Sequence, residues 1–439
     1  MDVISLKLVK LEKDKYDSFV RNNKYKSHFL QSASWAELCK EKRGLKPYCL
    51  GLVEDNKILA ATLLLKKNLP LGLCYLYSPR GYVIDFNDFK LLDKFTEELV
   101  KFAKEQKAIY LKLDPDIIWK RENYLGEVTL EEAKEQKIFK ELKRLGYKHL
   151  GFTKNFETMQ PRYTFRVDLN QDLETIESHF SKTTKQRIQK SLKLQTEVEI
   201  GTEKDLPTFY HLMMLTESRK DFVSYKIDYY KTLYKLFNEN DKATLFLGKV
   251  NLEKTLKVLN DELKEVTEKI NELPKENLSK SNKNKLKELE RQRDKTTEEI
   301  EKYEKYKQEY GTVVTLSAHM ILEYGDKAWV LYAGNHNILT ETYVNYNTYY
   351  EHLKFCKERG LKIYDQFGTI GDLSKDNPRL GLHEFKKKFG GDYIEFMGEF
   401  DYVIKPVYYF LFTKLVPIYR NIVKKKNKKE LKNTVNKER

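Results

Sequence analysis

A chain of 439 residues, 40% hydrophobic and 13% aromatic, is long enough for two or three domains with sizeable cores and is not wholly disordered. Its 81 Lys and Arg against 66 Asp and Glu leave a charge of +15, which favours a polyanionic partner: nucleic acid, anionic lipid or a phosphorylated substrate. Cys39, Cys49, Cys74 and Cys356 lie far apart without a CxxC or a nearby histidine pair, which argues against a disulfide frame or structural zinc and for reduced thiols in the cytoplasm.

The opening MDVISLKLVKLEKDKYDSF is charged every few residues and lacks a signal-peptide core, so export is not expected. HFLQSASWAELCKEKRGLKP reads as a helix with Trp35 and Leu38 inward, followed by strands YCLGLVEDN and KILAATLLLKK joined at an Asp-Asn turn. LCYLYSPRGYVID, a helix over 87–106 and AIYLKLDPDI continue a strand, helix, strand alternation, hence an α/β layer. A second unit starts near Gln160-Pro161-Arg162 with strand TFRVDL. In the helix SKTTKQRIQKSLK, the residues Lys182, Lys185, Arg187, Lys190 and Lys193 suit phosphate contacts, or equally a solvated face. LTESRKDFVSYKIDYYKTLYKLF reads as helical and tyrosine-rich, and strand ATLFLGKV restores the alternation.

The composition then changes for about sixty residues. Leu252, Leu256, Leu259, Leu263, Val266, Ile270 and Leu273 form a heptad seam that Pro274 stops. The seam resumes at Leu286 and Leu289, weakens at Arg293 and Thr296, and continues at Ile300, Tyr303 and Tyr310. This predicts an antiparallel helical hairpin with legs of about 30 Å. Strands on both sides make it an insertion within one sheet, with the basic positions Lys280, Lys283, Lys285 and Lys287 near its tip.

Within 361–391, Gly360 ends a helix, Leu361, Ile363, Tyr364 and Phe367 read as a strand, and a polar loop follows. Phe385 and Phe389 then share one face of a helical turn, with Lys386, Lys387 and Lys388 between them. An ammonium beside that apolar wall suits a phosphate or an oxyanion, and the alternative is a solvated basic turn on two core anchors. Residues 407–418, VYYFLFTKLVPI, precede a basic tail over 424–439 and read as a C-terminal helix packing on the protein, with peripheral membrane contact as the alternative.

FLQSASWAE, YSPRGYVID, LKLDPD, QPR, SKTTKQRI, LYAG, YDQFG, FKKKFG and IEFMGEFDYVIKPVYY, in that order, resemble the FemABX peptidoglycan aminoacyltransferases over nearly the whole length. The resemblance implies an α/β (α+β) chain of two GNAT-like domains, one over 1–155 and 392–423 and the other over 156–250 and 311–391. A coiled-coil arm at 251–310 is inserted in the second. It implies transfer of glycine, alanine or serine from aminoacyl-tRNA to a stem-peptide amine of lipid II or a UDP-linked muropeptide, at the cytoplasmic face of the membrane, without a further cofactor or metal. The arm favours lipid II. Ester aminolysis by a neutral amine needs proximity and oxyanion stabilisation more than a nucleophile, and no Ser-His-Asp or Cys-His pairing stands out.

Position by position, the resemblance carries the catalytic assignment to Lys386 with Phe385, and substrate contacts to Tyr229 and Tyr332. Cys39 stands where a phosphate-binding lysine is expected, which leaves Lys40, and Tyr225 stands where an arginine is expected, beside Lys226. Lys182, Lys185, Arg187 and Lys387 are candidates for tRNA phosphates. Self-association is left open. The rival readings are an acyl-CoA N-acyltransferase, for which no R-x-x-G-x-G/A pyrophosphate loop is found, and a non-enzymatic coiled-coil tRNA-binding protein.

Overall fold

A computed structural model describes residues 6–23, 27–130, 132–219, 224–240, 242–274 and 279–415, the side chains of 132–135 and 240 excepted. The tail over 424–439 and residues 416–418 of the aromatic patch lie outside the described residues. The chain divides into two compact units, one holding 1–165, 368–383 and 392–439, the other 166–367 and 384–391.

In the first unit, Ser32 caps the helix Ala33–Arg43 by accepting the Trp35 amide at 3.0 Å. The left-handed Gly44 ends that helix, which buries Trp35 and Leu38. The hairpin Lys46–Glu54 and Lys57–Asn68 turns at Asp55 and Asn56, both at positive φ, as a two-residue turn matched to strand twist requires. Among the described residues seven strands form the sheet, in the order Lys7–Lys10, Lys46–Glu54, Lys57–Asn68, Cys74–Arg80, Ala108–Pro115, Phe400–Val403, Tyr147–His149. Its parallel step, from Cys74–Arg80 to Ala108–Pro115, is bridged by the helix Phe89–Glu105, whose Leu92, Phe95 and Leu99 are fully buried.

In the second unit the sheet runs Ile363–Asp365, Lys327–Asn335, Val313–Tyr324, Lys242–Asn251, Thr196–Gly201. Ile363–Asp365 also pairs with the end of Tyr163–Asp168. The helix Val344–Glu358 bridges the parallel step and buries Tyr349, Leu353 and Cys356 on Phe246, Ile321 and Tyr364. Gly248 is required here, because a Cβ would stand 2.2 Å from Ser317 Oγ and 2.4 Å from Thr348 Oγ1.

The arm leaves the sheet where Asn251 pairs with Val313, so it is an insertion between adjacent strands. Leu252–Asn271 and Lys280–Tyr310 are its helices, and Leu256, Leu259, Val266, Leu289, Ile300 and Tyr303 fill the seam. Two expectations change. The second leg has 31 residues, about 46 Å, because no Pro or Gly interrupts it before Gly311. Tyr310 is exposed, with its ring 5.7 Å from Tyr306 and 6.2 Å from His336, so Tyr303 and Tyr306 finish the seam instead. The stretch read as one helix around Tyr225 is Leu206–Glu217 and Ile227–Asn240, with Ser224, Tyr225 and Lys226 outside both and 220–223 outside the described residues.

His319 and His352 are buried in this unit, their rings 5.1 Å apart, and His319 Nδ1 and His352 Nε2 have no hydrogen-bond partner among the described residues. Burial pushes His319 down to about 4 and His352 well below the ordinary 6.5. Both rings are neutral in the fold, whereas the unfolded chain protonates them below about 6.5. Stability is therefore expected to fall as pH drops from about 6.5 toward 4. Urea midpoints across that window check this, and His352→Phe should flatten the slope.

Candidate active site

The strand that precedes the site is shorter than the apolar alternation suggested. It covers Ile363–Asp365 and is followed by Phe367 and Gly368 at φ +50° and +41°. Asp365 holds the bend, accepting the Phe367 amide at 2.8 Å and Arg166 Nε at 2.8 Å. The turn aims two carbonyls at one ammonium: Lys386 Nζ donates to Gln366 O at 2.8 Å and to Phe367 O. Gln366 Nε2 returns a hydrogen bond to Lys386 O at 3.2 Å.

Lys386 is only 6% exposed, while Lys387 next to it is exposed, so the solvated-turn alternative describes Lys387 and not Lys386. Burial pushes the Lys386 ammonium down to about 7, and the Asp365 carboxylate opposes that shift. Phe385 packs edge-on against Tyr346, Tyr349 and Phe389, with centroids 5.0, 4.9 and 5.3 Å away. A cation fixed by carbonyls in a low-dielectric setting needs little reorganisation to meet a developing negative charge.

Strands Lys327–Asn335 and Ile363–Asp365 run parallel with Trp329 level with Asp365. Tyr332 and the Gln366 and Phe367 carbonyls therefore leave the sheet at the same, carboxyl end, where open α/β sheets bind ligands. Tyr332 OH lies 3.2 Å from Tyr229 OH, and the Tyr225 ring stacks on Tyr229 at 3.9 Å. The three tyrosines singled out from the sequence thus form one cluster, and Tyr230 adds a fourth ring 5.1 Å from Tyr332. Lys226 is exposed beside it.

The helix Lys182–Lys193 begins beside the lysine run, its cap Ser181 donating from the amide to Lys388 O at 3.0 Å. Lys182, Lys185 and Lys387 are exposed there, and Lys185 Nζ donates to Ser178 O at 3.2 Å. Arg187 faces elsewhere, its guanidinium 5.0 Å from the Tyr346 ring and 5.2 Å from Tyr343, so Tyr346 stands between Arg187 and Phe385. Arg187 also lines a cavity of about 490 Å³ with Arg219, His336, Glu341, Tyr343 and Tyr346.

In the first unit Lys40 is 59% exposed and pairs with Glu37 at 2.7 Å. One turn later on the same helix Arg43 lines a cavity of about 150 Å³ with Lys67, Tyr75 and Tyr77. Arg43 and Lys67 were missed as cations facing a pocket, because neither is set apart by spacing from the other basic residues around it. Gln366 and Asp365 were missed as well: both belong to the quoted YDQFG, and only the structure gives them a task.

The FemAB family model matches residues 11–416. A lipid II:glycine glycyltransferase of Staphylococcus haemolyticus (strain JCSC1435) is 31% identical over 411 residues, covering 92% of this chain and 94% of the relative. One of Staphylococcus aureus (strain MRSA252) is 29% identical over 412 residues, with the same coverage. A crystal structure of FemX aligns with a TM-score of 0.74 at 26% identity, covering 92% of this chain and 99% of that one.

Proposed function

Because the chain belongs to the FemAB family, we propose that it is an aminoacyl-tRNA-dependent transferase that adds glycine to the stem-peptide amine of lipid II, building the interpeptide bridge at the inner face of the membrane. The observation that carries this is similarity across nearly the full length, arm included, to relatives named for that reaction.

The chemistry asks for three things. The acceptor nitrogen must be uncharged, the ester carbonyl must lie against it, and the oxyanion of the tetrahedral intermediate must find a positive neighbour. In this reading Lys386 is that neighbour or holds the tRNA acceptor end, and Phe385 fixes it by packing. Tyr229 and Tyr332 position the acceptor, with Tyr225 and Lys226 beside them. Lys182, Lys185, Arg187 and Lys387 contact tRNA phosphates, and Lys40 contacts the acceptor's phosphates. The burial of Lys386 against two backbone carbonyls and the single cluster of the three tyrosines support the roles of Lys386 and of the tyrosines.

A donor panel tests the reading. Purified chain is offered glycyl-, alanyl- and seryl-tRNA with lipid II, and separately acetyl-CoA. Glycine incorporated into lipid II from glycyl-tRNA is the expected product. Acylation from acetyl-CoA alone would sink the proposal.

A further inference from the structure

Two segments of the first unit present large apolar side chains to solvent on one small aromatic cluster. The first is the turn that joins strands Lys57–Asn68 and Cys74–Arg80. Leu69 and Leu73 pack on Ile109 and Tyr110, while Leu71 between them stands 81% exposed at φ +62°. A leucine gains nothing from either condition: its side chain is in water, and its backbone is in a region that L residues with a Cβ avoid.

The second segment is the helical stretch Pro406–Phe410 with Leu411–Leu415. Tyr409 and Phe412 turn inward onto the same cluster, and Tyr409 OH donates to Asp401 at 2.9 Å. Val407 is 77% and Phe410 58% exposed, and Leu411 and Leu415 are exposed with them. The helix is thus amphipathic with an apolar face outward.

What surrounds the patch is basic. Lys414 is on the exposed face, Lys67 precedes the turn, and Lys107 lies opposite Cys74; all three are exposed. The chain then continues into 424–439, which carries eight basic and two acidic residues. Among the described residues no helix is long and apolar enough to cross a membrane. Outward apolar side chains with flanking lysines and a polybasic continuation match an interfacial helix on an anionic surface.

The cluster also reaches a pocket. Tyr409 sits edge-on to Tyr110 at 5.4 Å, and Tyr110 stacks on Tyr75 at 5.2 Å. Tyr75 lines the cavity that holds Arg43 and Lys67. A surface lying on lipid headgroups would therefore be one aromatic ladder away from a cationic pocket.

We propose that Leu71 with Val407, Phe410, Leu411 and Leu415 forms a docking surface for an anionic phospholipid bilayer, and that the basic sequence after it adds ionic attraction. The proposal deepens the reading above and rests on its lipid-linked acceptor for purpose, but its test needs no lipid II.

The test is co-flotation of the full chain with phosphatidylcholine vesicles that contain or lack phosphatidylglycerol. The expected result is binding to the anionic vesicles alone, weakened by salt. The double variant Leu71→Asp/Phe410→Asp should bind at least about tenfold more weakly. A chain ending at Leu415 should lose the salt-sensitive part of binding. Glycine transfer to lipid II in detergent micelles should be unchanged in both. Wild type that ignores anionic vesicles, or a double variant that floats like wild type, overturns the proposal. So does a double variant that loses only self-association in sedimentation, since the face then covers a second copy. Flotation without transfer in micelles would remove the glycyltransfer reading and leave the docking surface standing.

Discussion

Arg162→Leu is expected to destabilise the first unit by about 3–5 kcal/mol, the range for removing one partner of a buried ion pair. Arg162 is 2% exposed, and its guanidinium is shared among several acceptors. Nη1 donates to Tyr163 OH at 2.7 Å and to Thr153 O at 3.1 Å, Nη2 pairs with Glu395, and the Phe152 ring lies 4.6 Å away. Leucine fills part of the volume but leaves the Glu395 carboxylate and the Thr153 carbonyl without their donor. Calorimetry should show the affected transition lowered by roughly 10 °C. Arg162→Leu/Glu395→Leu should recover much of that loss, because the uncompensated carboxylate is its main source. A single variant that melts with wild type would contradict this account.

Lys386→Met is expected to lower turnover by about 10²- to 10³-fold, the size of losing one preorganised charge at an oxyanion, with charged-tRNA affinity and folding retained. Stability should change little, because relief of a buried cation's desolvation offsets the loss of a donor to the Gln366 and Phe367 carbonyls. Lys386→Arg should not rescue activity, because a planar fork cannot replace a compact ammonium between the Gln366 and Phe367 carbonyls. The sign with pH follows from the shift to about 7. The ammonium is present below about 7 and is lost as pH rises through it, so the chemical step should lose this assistance above neutrality. Between about 7 and the unfolded value of 10.5 the unfolded chain binds more protons at this site, so stability should rise with pH there. Both trends should vanish in Lys386→Met; a wild-type rate indifferent to pH around 7 would count against a catalytic cation.

The parts of the fold that could be read from the sequence are those set by local spacing. Asp55 and Asn56 can turn a hairpin because both tolerate positive φ, and the leucines from 252 to 273 pack at intervals of three and four whatever surrounds them. What could not be read depends on contacts distant in sequence. Arg162 looks like any charged residue after a proline until Thr153 and Glu395 are seen around it. Lys386 cannot be told from Lys387 by spacing alone, and the carbonyls that separate them lie at Gln366 and Phe367, twenty and nineteen residues away. Lys40 and Arg43 share a helix, yet Lys40 is drawn to Glu37 while Arg43 lines the cavity with Tyr75 and Tyr77, residues thirty and more positions away in sequence. Leu71 had no sequence signal at all: a leucine between Pro70 and Gly72 is ordinary until its exposure and backbone are known.

The central claim is that a carbonyl-held ammonium assists glycine transfer to a lipid-linked acceptor. Its most direct measurement is single-turnover glycine transfer from glycyl-tRNA to lipid II by wild type and Lys386→Met side by side, with the product identified by mass. The account predicts glycyl-lipid II from wild type and the same product formed at least about a hundredfold more slowly by the variant. No glycyl-lipid II from wild type, or equal rates from the two proteins, would contradict it.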